Sequence, residues 1–329
     1  MGEEKGGGFC GRINGVKKTT ASISRFNLGT AGKPVRRSVS LRRHSSFMIG
    51  GRADYFFAAR TEKDLLAGLR FARERSLSYY VIGAGTNMLF ADAGFRGLIL
   101  KNEIQGIEKG PEGRLAVLSG TPLSDLVNFT LEEGYEGLEF AAGIPGTVGG
   151  AVFGNAGAWG NCIADRLEEA VLLDGEGDAA AVRNQDLGFG YRQSILKASH
   201  RTVLSAVFRL KSGDRGRIRE KIQENLGKRK SPYPSPKMAY AGSFFKNPIM
   251  PDGTKVAAGI LLEKVGAKNL EIGGAAVYSE HANFIINRGR ARAEDVLRLA
   301  DELKKRVKKE FGITLVEEVI YLPAVFSKA

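Results

Sequence analysis

A chain of 329 residues, 43% of them hydrophobic, is too long for one small core and suits two or three packed subdomains. Its two cysteines, Cys10 and Cys162, form no CxxC pair, which argues against a disulfide framework or a zinc site and fits a reducing cytoplasm. The formal net charge is +13, but residues 1–43 hold ten Lys/Arg against Glu3 and Glu4, leaving +5 for the other 286 residues; a body this mildly basic suits an anionic small molecule at least as well as a nucleic acid.

Residues 1–38 read as a basic flexible tail. They lack the apolar stretch of a secretory signal, and Glu3, Glu4 and the many glycines argue against a transit peptide. No apolar run approaches the ~18 residues of a membrane span, so no membrane insertion is expected. Ordered patterning starts near residue 39 with SVSLRRHSSFMIGGRADYFFAA. Thr61 then opens a helix with Leu65, Leu66, Leu69 and Ala72 on one face and Asp64 near its positive end. SYYVIGAG reads as a strand running into glycines, and RGLILKN as another. Over residues 121–134 Thr121 caps a helix and Pro122 takes its first turn. Leu123, Leu126, Val127 and Leu131 form its stripe, and Gly134 ends it.

A glycine loop follows, then strands EEAVLLD and AAAVRN joined by the turn GEGD, and TVLSAVFRLKSGD closes the region. The charged helix RGRIREKIQENLGKRK and the proline-rich SPYPSPK mark a boundary near 213–236. GGAAVYSEHANFIINRG reads as strand. Residues 293–311 read as a helix with Val296, Leu299, Ala300, Leu303 and Val307 at helical spacing and Gly312 as its stop. TLVEEVIYLP reads as a final strand. Strands and helices alternate irregularly, which favours an α+β fold over a doubly wound sheet.

Three glycine-rich stretches carry the chemistry. VIGAGTNMLF begins like a dinucleotide fingerprint at Gly83 and Gly85, but Met88 stands at the third glycine position and no crossover helix follows, so a Rossmann site is disfavoured. The other reading is an anion nest, in which consecutive amides of glycine turns hold a phosphate without any cation. Gly83, Ala84, Gly85, Thr86 and Asn87 form one such loop. Gly143, Ile144, Pro145, Gly146, Thr147, Gly149 and Gly150, within AGIPGTVGGA, form a second. Together they would enclose a pyrophosphate, and FGNAGAWG, with Asn155 and Gly157, adds a third stretch of close approach. Each loop alone is also compatible with tight turns in a glycine-rich β region.

In order along residues 39–322, HSSFMIGGRADYFF, VIGAGTNML, GLEFAAGIPGTVGGAVFGNAGAWG, FGYRQSILK, AGSFFKNP and HANFIINRG resemble the UDP-N-acetylenolpyruvoylglucosamine reductase family. The resemblance implies an α+β, FAD-binding fold of the p-cresol methylhydroxylase / vanillyl-alcohol oxidase type. It would have a basic tail (1–38), an FAD-binding domain (39–213) of two subdomains, about 39–102 and 103–213, and a C-terminal α+β substrate domain (214–326). It implies NADPH-dependent reduction, through FAD, of UDP-N-acetylglucosamine enolpyruvate to UDP-N-acetylmuramate for peptidoglycan. The short stretch 249–256 resembles the second subclass, which lacks a tyrosine-bearing insert. The partners expected are a UDP-sugar and NADPH, with no nucleic acid, no metal, and a cytoplasmic protein for which a monomer is favoured. No histidine accompanies the flavin motifs, so non-covalent FAD is expected.

Such a reaction needs a proton donor and a group that stabilises charge on the substrate carboxylate. The histidines, His44, His200 and His281, have no triad-like context, so Ser243 in AGSFFKNP is not read as a nucleophile; the resemblance implies that it is the proton donor. Arg192 carries a permanent planar fork suited to a carboxylate, and the resemblance gives it that role, with Tyr191 packed beside it. The resemblance implies a catalytic acid at Glu318. The family's closing motif is Leu-Glu-Pro-Glu-Val-Arg, from which LVEEVI departs at Val316, Glu317 and Ile320, so Glu317 competes for the role; on a strand only one of the two faces the site. Lys246 and Asn247 match substrate-binding positions, although Lys246 reads equally well as a solvated loop lysine. Arg229, Lys230 and Lys237 are unranked candidates for a diphosphate, and Trp159 lies in a cofactor loop. Two alternatives stand beside this reading: an FAD oxidoreductase of the same fold acting on another sugar or alcohol, and a basic nucleic-acid-binding protein.

Overall fold

The computed structural model describes residues 35–199, 201–230 and 232–325. Its helices are α1 (Glu62–Glu74), α2 (Leu123–Glu133), α3 (Val148–Gly154), α4 (Leu196–Ser199), α5 (Arg215–Gly227), α6 (Ala258–Lys264) and α7 (Ala293–Phe311). Three main sheets organise them, and the architecture is α+β.

The first sheet runs Arg36–Ser40, Arg52–Ala59, Phe95–Asn102, Tyr79–Ile82, with parallel pairing across its last three strands. Helix α1 packs on it. Thr61 Oγ1 accepts from the Asp64 amide at 3.1 Å, and Asp64 Oδ2 accepts from the Thr61 amide at 3.0 Å, so each end of this capping box satisfies an orphan donor. Leu65, Leu69 and Ala72 are buried against the sheet. The first strand starts three residues earlier than the sequence pattern indicates, and residues 36–38 therefore belong to the fold rather than to a tail. RRSVS carries no apolar face because it is an edge strand. Its arginines instead cover aromatic rings, Arg36 over Phe56 at 4.8 Å and Arg37 over Tyr55 at 5.4 Å. Residues 1–34 of the expected tail lie outside the described residues.

The second sheet is antiparallel throughout, in the order Ala179–Arg183, Leu167–Leu173, Thr202–Arg209, Arg114–Leu118, Ile107–Lys109. Helix α2 packs into its core through Leu123, Leu126 and Val127, and Gly134 ends it at φ +72°. Thr121 is not its cap. Its hydroxyl accepts from the Gly106 amide at 3.1 Å, and Pro122 holds the cap position. Helix α5, expected in the C-terminal domain, packs on this second core. Ile218 and Ile222 of α5 are buried in this second core, and Asn225 donates to the Glu139 carbonyl at 2.9 Å. Two isoleucines among six charged residues of α5 give too faint a stripe to place this helix on the second core from sequence.

The third sheet, Ala239–Tyr240, Ile285–Asn287, Ala275–Val277, Glu271–Ile272, carries α6 and α7. Val296, Leu299, Ala300, Leu303 and Val307 of α7 are all buried, and Gly312 stops it at φ +70°. Its first amides are satisfied from another part of the molecule: Asp92 accepts from Ala293 at 2.9 Å and from Glu294 at 3.2 Å. Phe47, Ile49 and Leu89, from the first part of the chain, share this core. The closing segment is strand only at Ile320–Leu322, which pairs in parallel with Met88–Phe90. No described helix is long and apolar enough to cross a membrane.

One buried amide ties the third sheet to the segment that carries Ser243. Asn283 accepts from the Phe245 amide and donates to the Phe245 carbonyl, both at 2.9 Å. Asn283→Ala strips both polar groups of their partner inside a dry core, and should cost about 2–5 kcal/mol. A lower urea midpoint followed by circular dichroism is the expected result.

Candidate active site

Between the three sheets lies a cavity of about 1440 Å³, larger than the ~300–1,000 Å³ of an ordinary small-molecule pocket. Both glycine loops line it, each residue of 83–87 and 143–147 together with Gly149 and Gly150. The loops are joined to each other. Thr86 donates its hydroxyl to the Pro145 carbonyl at 3.2 Å, and a Cβ on Gly83 would stand 2.4 Å from Thr147 Oγ1. Gly85 is required by the protein itself, because its φ is +69° and a Cβ would meet the His44 carbonyl oxygen at 2.0 Å. Gly150 differs. Its φ is ordinary, and a Cβ would meet nothing nearer than Thr147 Oγ1 at 3.5 Å; a Cβ on Gly154 would meet nothing within 4 Å. Both line the cavity. No packing in the chain explains their missing side chains, whereas a large ligand in close approach does. The lining thus fits a dinucleotide, and among the described residues it includes no histidine or cysteine.

The third stretch divides. Gly157 lines the cavity, but Asn155 is buried behind it. Asn155 donates to the Gly190 carbonyl at 3.0 Å and accepts from the Ala164 amide at 3.1 Å, so it supports the wall instead of facing a ligand. Asn87 does both jobs: it lines the cavity and donates to the Glu318 carbonyl at 3.1 Å.

Arg192, Ser243 and Glu318 also line the cavity. Arg192 Nε donates to Glu318 Oε1 at 2.6 Å and Nη2 to the Gly157 carbonyl at 2.8 Å. Ser243 is brought beside this pair by the main chain, since the Glu318 amide donates to the Phe244 carbonyl at 2.8 Å. Glu317 points elsewhere, to Lys304 at 2.6 Å. Tyr191 lies 5.5 Å from the Arg192 guanidinium, and its hydroxyl accepts from the Asn247 amide at 3.2 Å. Asn247 lines the cavity while its Oδ1 accepts from the Ala258 amide at the start of α6. Lys246 is not part of the lining, and its amide bonds to the Val316 carbonyl.

Arg229 and Lys230 line the cavity and Lys237 does not. Arg229 Nε is fixed on the Ala142 carbonyl at 3.0 Å, and its guanidinium lies 5.7 Å from the half-exposed ring of Trp159. A cavity residue that the sequence left without a role is Lys197, whose Nζ donates to the Arg192 carbonyl at 2.7 Å. Its ammonium is open to the cavity yet crowded by protein, and this desolvation, with the nearby charges of Lys246 and Arg192, pulls its pKa below the usual lysine range; Glu318 opposes the shift. Among the described residues no group of three or more His, Cys, Asp or Glu could hold a metal.

Comparison with known proteins agrees with this geometry. Residues 53–182 match a family model described as an FAD binding domain, and residues 234–322 match the C-terminal domain of UDP-N-acetylenolpyruvoylglucosamine reductase. A UDP-N-acetylenolpyruvoylglucosamine reductase of Protochlamydia amoebophila is 40% identical over 283 residues, 86% of this chain and 92% of that one. One from Moorella thermoacetica is 40% identical over 280 residues, 85% of this chain and 90% of that one. The crystal structure of the Thermus caldophilus reductase superposes with a TM-score of 0.73 at 34% identity, covering 88% of this chain and 99% of that one.

Gly150 separates a ligand effect from a folding effect. Gly150→Asp places a carboxylate in space the chain leaves open, so the protein should keep its unfolding midpoint to within about 1 kcal/mol. It should emerge colourless, because the carboxylate would face a bound pyrophosphate. The ratio of visible flavin to protein absorbance after purification checks this.

Proposed function

The chain belongs to the UDP-N-acetylenolpyruvoylglucosamine reductase family, and from that premise we propose how its own residues carry the reaction. It is an FAD-dependent oxidoreductase that uses NADPH to reduce UDP-N-acetylglucosamine enolpyruvate to UDP-N-acetylmuramate, a peptidoglycan precursor. Bound FAD supplies the hydride relay between NADPH and the enolpyruvyl double bond; every other function falls to the protein. The loops 83–87 and 143–150 hold the pyrophosphate through main-chain amides.

The observation that supports the assignment of roles is that Ser243 and the Arg192–Glu318 pair line one cavity, with the residue after Ser243 bonded to the Glu318 amide. Reduction adds a hydride to one carbon of the double bond and a proton to its neighbour, and negative charge passes through the attached carboxylate in between. Arg192 faces that carboxylate with a permanent planar charge. Glu318 fixes the guanidinium through Nε and the Gly157 carbonyl fixes it through Nη2, so its remaining N–H groups are oriented before substrate arrives. Ser243 donates the proton. A hydroxyl is a weak acid, and it serves here because the enolate it protonates is basic. Asn247 bonds the substrate, and Tyr191 braces Asn247 and Arg192 together. Arg229 and Lys230 face the UDP diphosphate. A nucleotide-sugar substrate and NADPH place the enzyme in the cytoplasm.

The two half-reactions separate these roles in stopped-flow absorbance. Ser243→Ala should leave the NADPH-dependent bleaching of the flavin nearly unchanged, and slow its recovery with UDP-N-acetylglucosamine enolpyruvate by roughly 10²- to 10⁴-fold. Glu318→Gln should impair the same recovery, and Glu317→Gln should impair it little. Equal slowing of both halves by Ser243→Ala would assign this serine to packing.

A further inference from the structure

Arg192 occupies a backbone position that disfavours a side chain. Gly190 and Gln193 exchange both main-chain hydrogen bonds, at 3.1 Å each, so Tyr191 and Arg192 are the central residues of a tight turn. Only the second of them has positive φ, +55°. That is the sign pattern of a type II turn, whose second central position favours glycine or asparagine. An arginine persists there only when its surroundings impose the conformation. Asn155 grips one end of the turn, at the Gly190 carbonyl. The other grip is Lys197 on the carbonyl of Arg192 itself, at 2.7 Å.

Lys197 is the lysine of FGYRQSILK, and the roles assigned above leave it unused. It stands near two cations that repel it, Lys246 and Arg192, and one carboxylate that attracts it, Glu318; among the described residues its hydrogen-bond partner is the Arg192 carbonyl, and that bond fixes where the ammonium sits. We propose that Lys197 is a positioning residue for the reaction, its ammonium clamping the Arg192 carbonyl and so keeping the left-handed turn that aims the guanidinium at Glu318 and the Gly157 carbonyl. With no donor at position 197 the turn relaxes toward negative φ, and the guanidinium leaves the line of the substrate carboxylate. Lys197 acts through Arg192, not on the reacting atoms.

The inference rests on the role given to Arg192, and the test keeps the two apart. In flavin-loaded Lys197→Met, bleaching by NADPH should match the native rate to within about twofold, while recovery with UDP-N-acetylglucosamine enolpyruvate slows roughly tenfold or more. In Arg192→Ala there is no guanidinium to aim, so adding Lys197→Met should slow recovery by no more than about twofold further. Native recovery kinetics in Lys197→Met would overturn the proposal, and so would equal slowing of both steps. A double variant in which the two effects multiply would also overturn it, because Lys197 would then touch the substrate directly. If Arg192→Ala recovers at the native rate, the role of Arg192 fails and this proposal falls with it; if only Lys197→Met does, the role of Arg192 stands.

Discussion

The site depends on one half-buried ion pair. Arg192 and Glu318 are separated by 126 residues and meet at 2.6 Å, with side chains 23% and 19% exposed. Removing two charges from water is unfavourable, and a buried pair recovers that only when the remaining donors and acceptors are also satisfied. Here the Gly157 carbonyl takes a second N–H of the guanidinium, and the Glu318 segment is bonded through its amide to Phe244 and through its carbonyl to Asn87. Hydrogen bonds to charged groups contribute roughly 1.5–3 kcal/mol each, so these bonds offset part of the desolvation. The pair ties the loop that carries Arg192 to the C-terminal segment.

The glycines of the cavity separate into two kinds. Gly83 and Gly85 are demanded by neighbouring protein atoms, Thr147 and His44, and would be needed with no ligand bound. Gly150 and Gly154 have room for a side chain and carry none. The first kind shapes the loops; the second leaves a surface of bare main chain. Bare main chain there leaves room for a bulky ligand to approach closely along the uncharged AGIPGTVGGA.

Most of this was legible where the determinants are local. The capping box of α1, the stripe of α7 and the glycine stops of α2 and α7 are properties of a few adjacent residues, and sequence reasoning locates them. What it missed depends on partners far along the chain. RRSVS becomes a strand because Phe56 and Tyr55 offer rings for its arginines. Thr121 looks like a cap until Gly106 claims its hydroxyl. Asn155 sits in a glycine-rich loop and reads as a ligand contact, but Gly190 and Ala164 use both ends of its amide. The choice between Glu317 and Glu318 turns on Lys304 and Arg192, which lie on opposite sides of the closing segment. Asn283 had no signal at all, since its two bonds to Phe245 span 38 residues.

The parallel pairing of Ile320–Leu322 with Met88–Phe90 sets an order of assembly. Met88–Phe90 continues directly from the loop 83–87, and the Ile320 amide bonds to the Asn87 carbonyl at 3.0 Å. The loop is therefore finished by a strand made more than two hundred residues later. During synthesis the first two sheets can collapse as each emerges, since their pairings close within the first 209 residues. The cavity, however, lacks Glu318 and the strand that borders its first loop until residues 318–322 have been made. Contacts of such separation are slow to form. A chain that has reached only residue 209 can hold the first two sheets, but not the wall that carries Glu318.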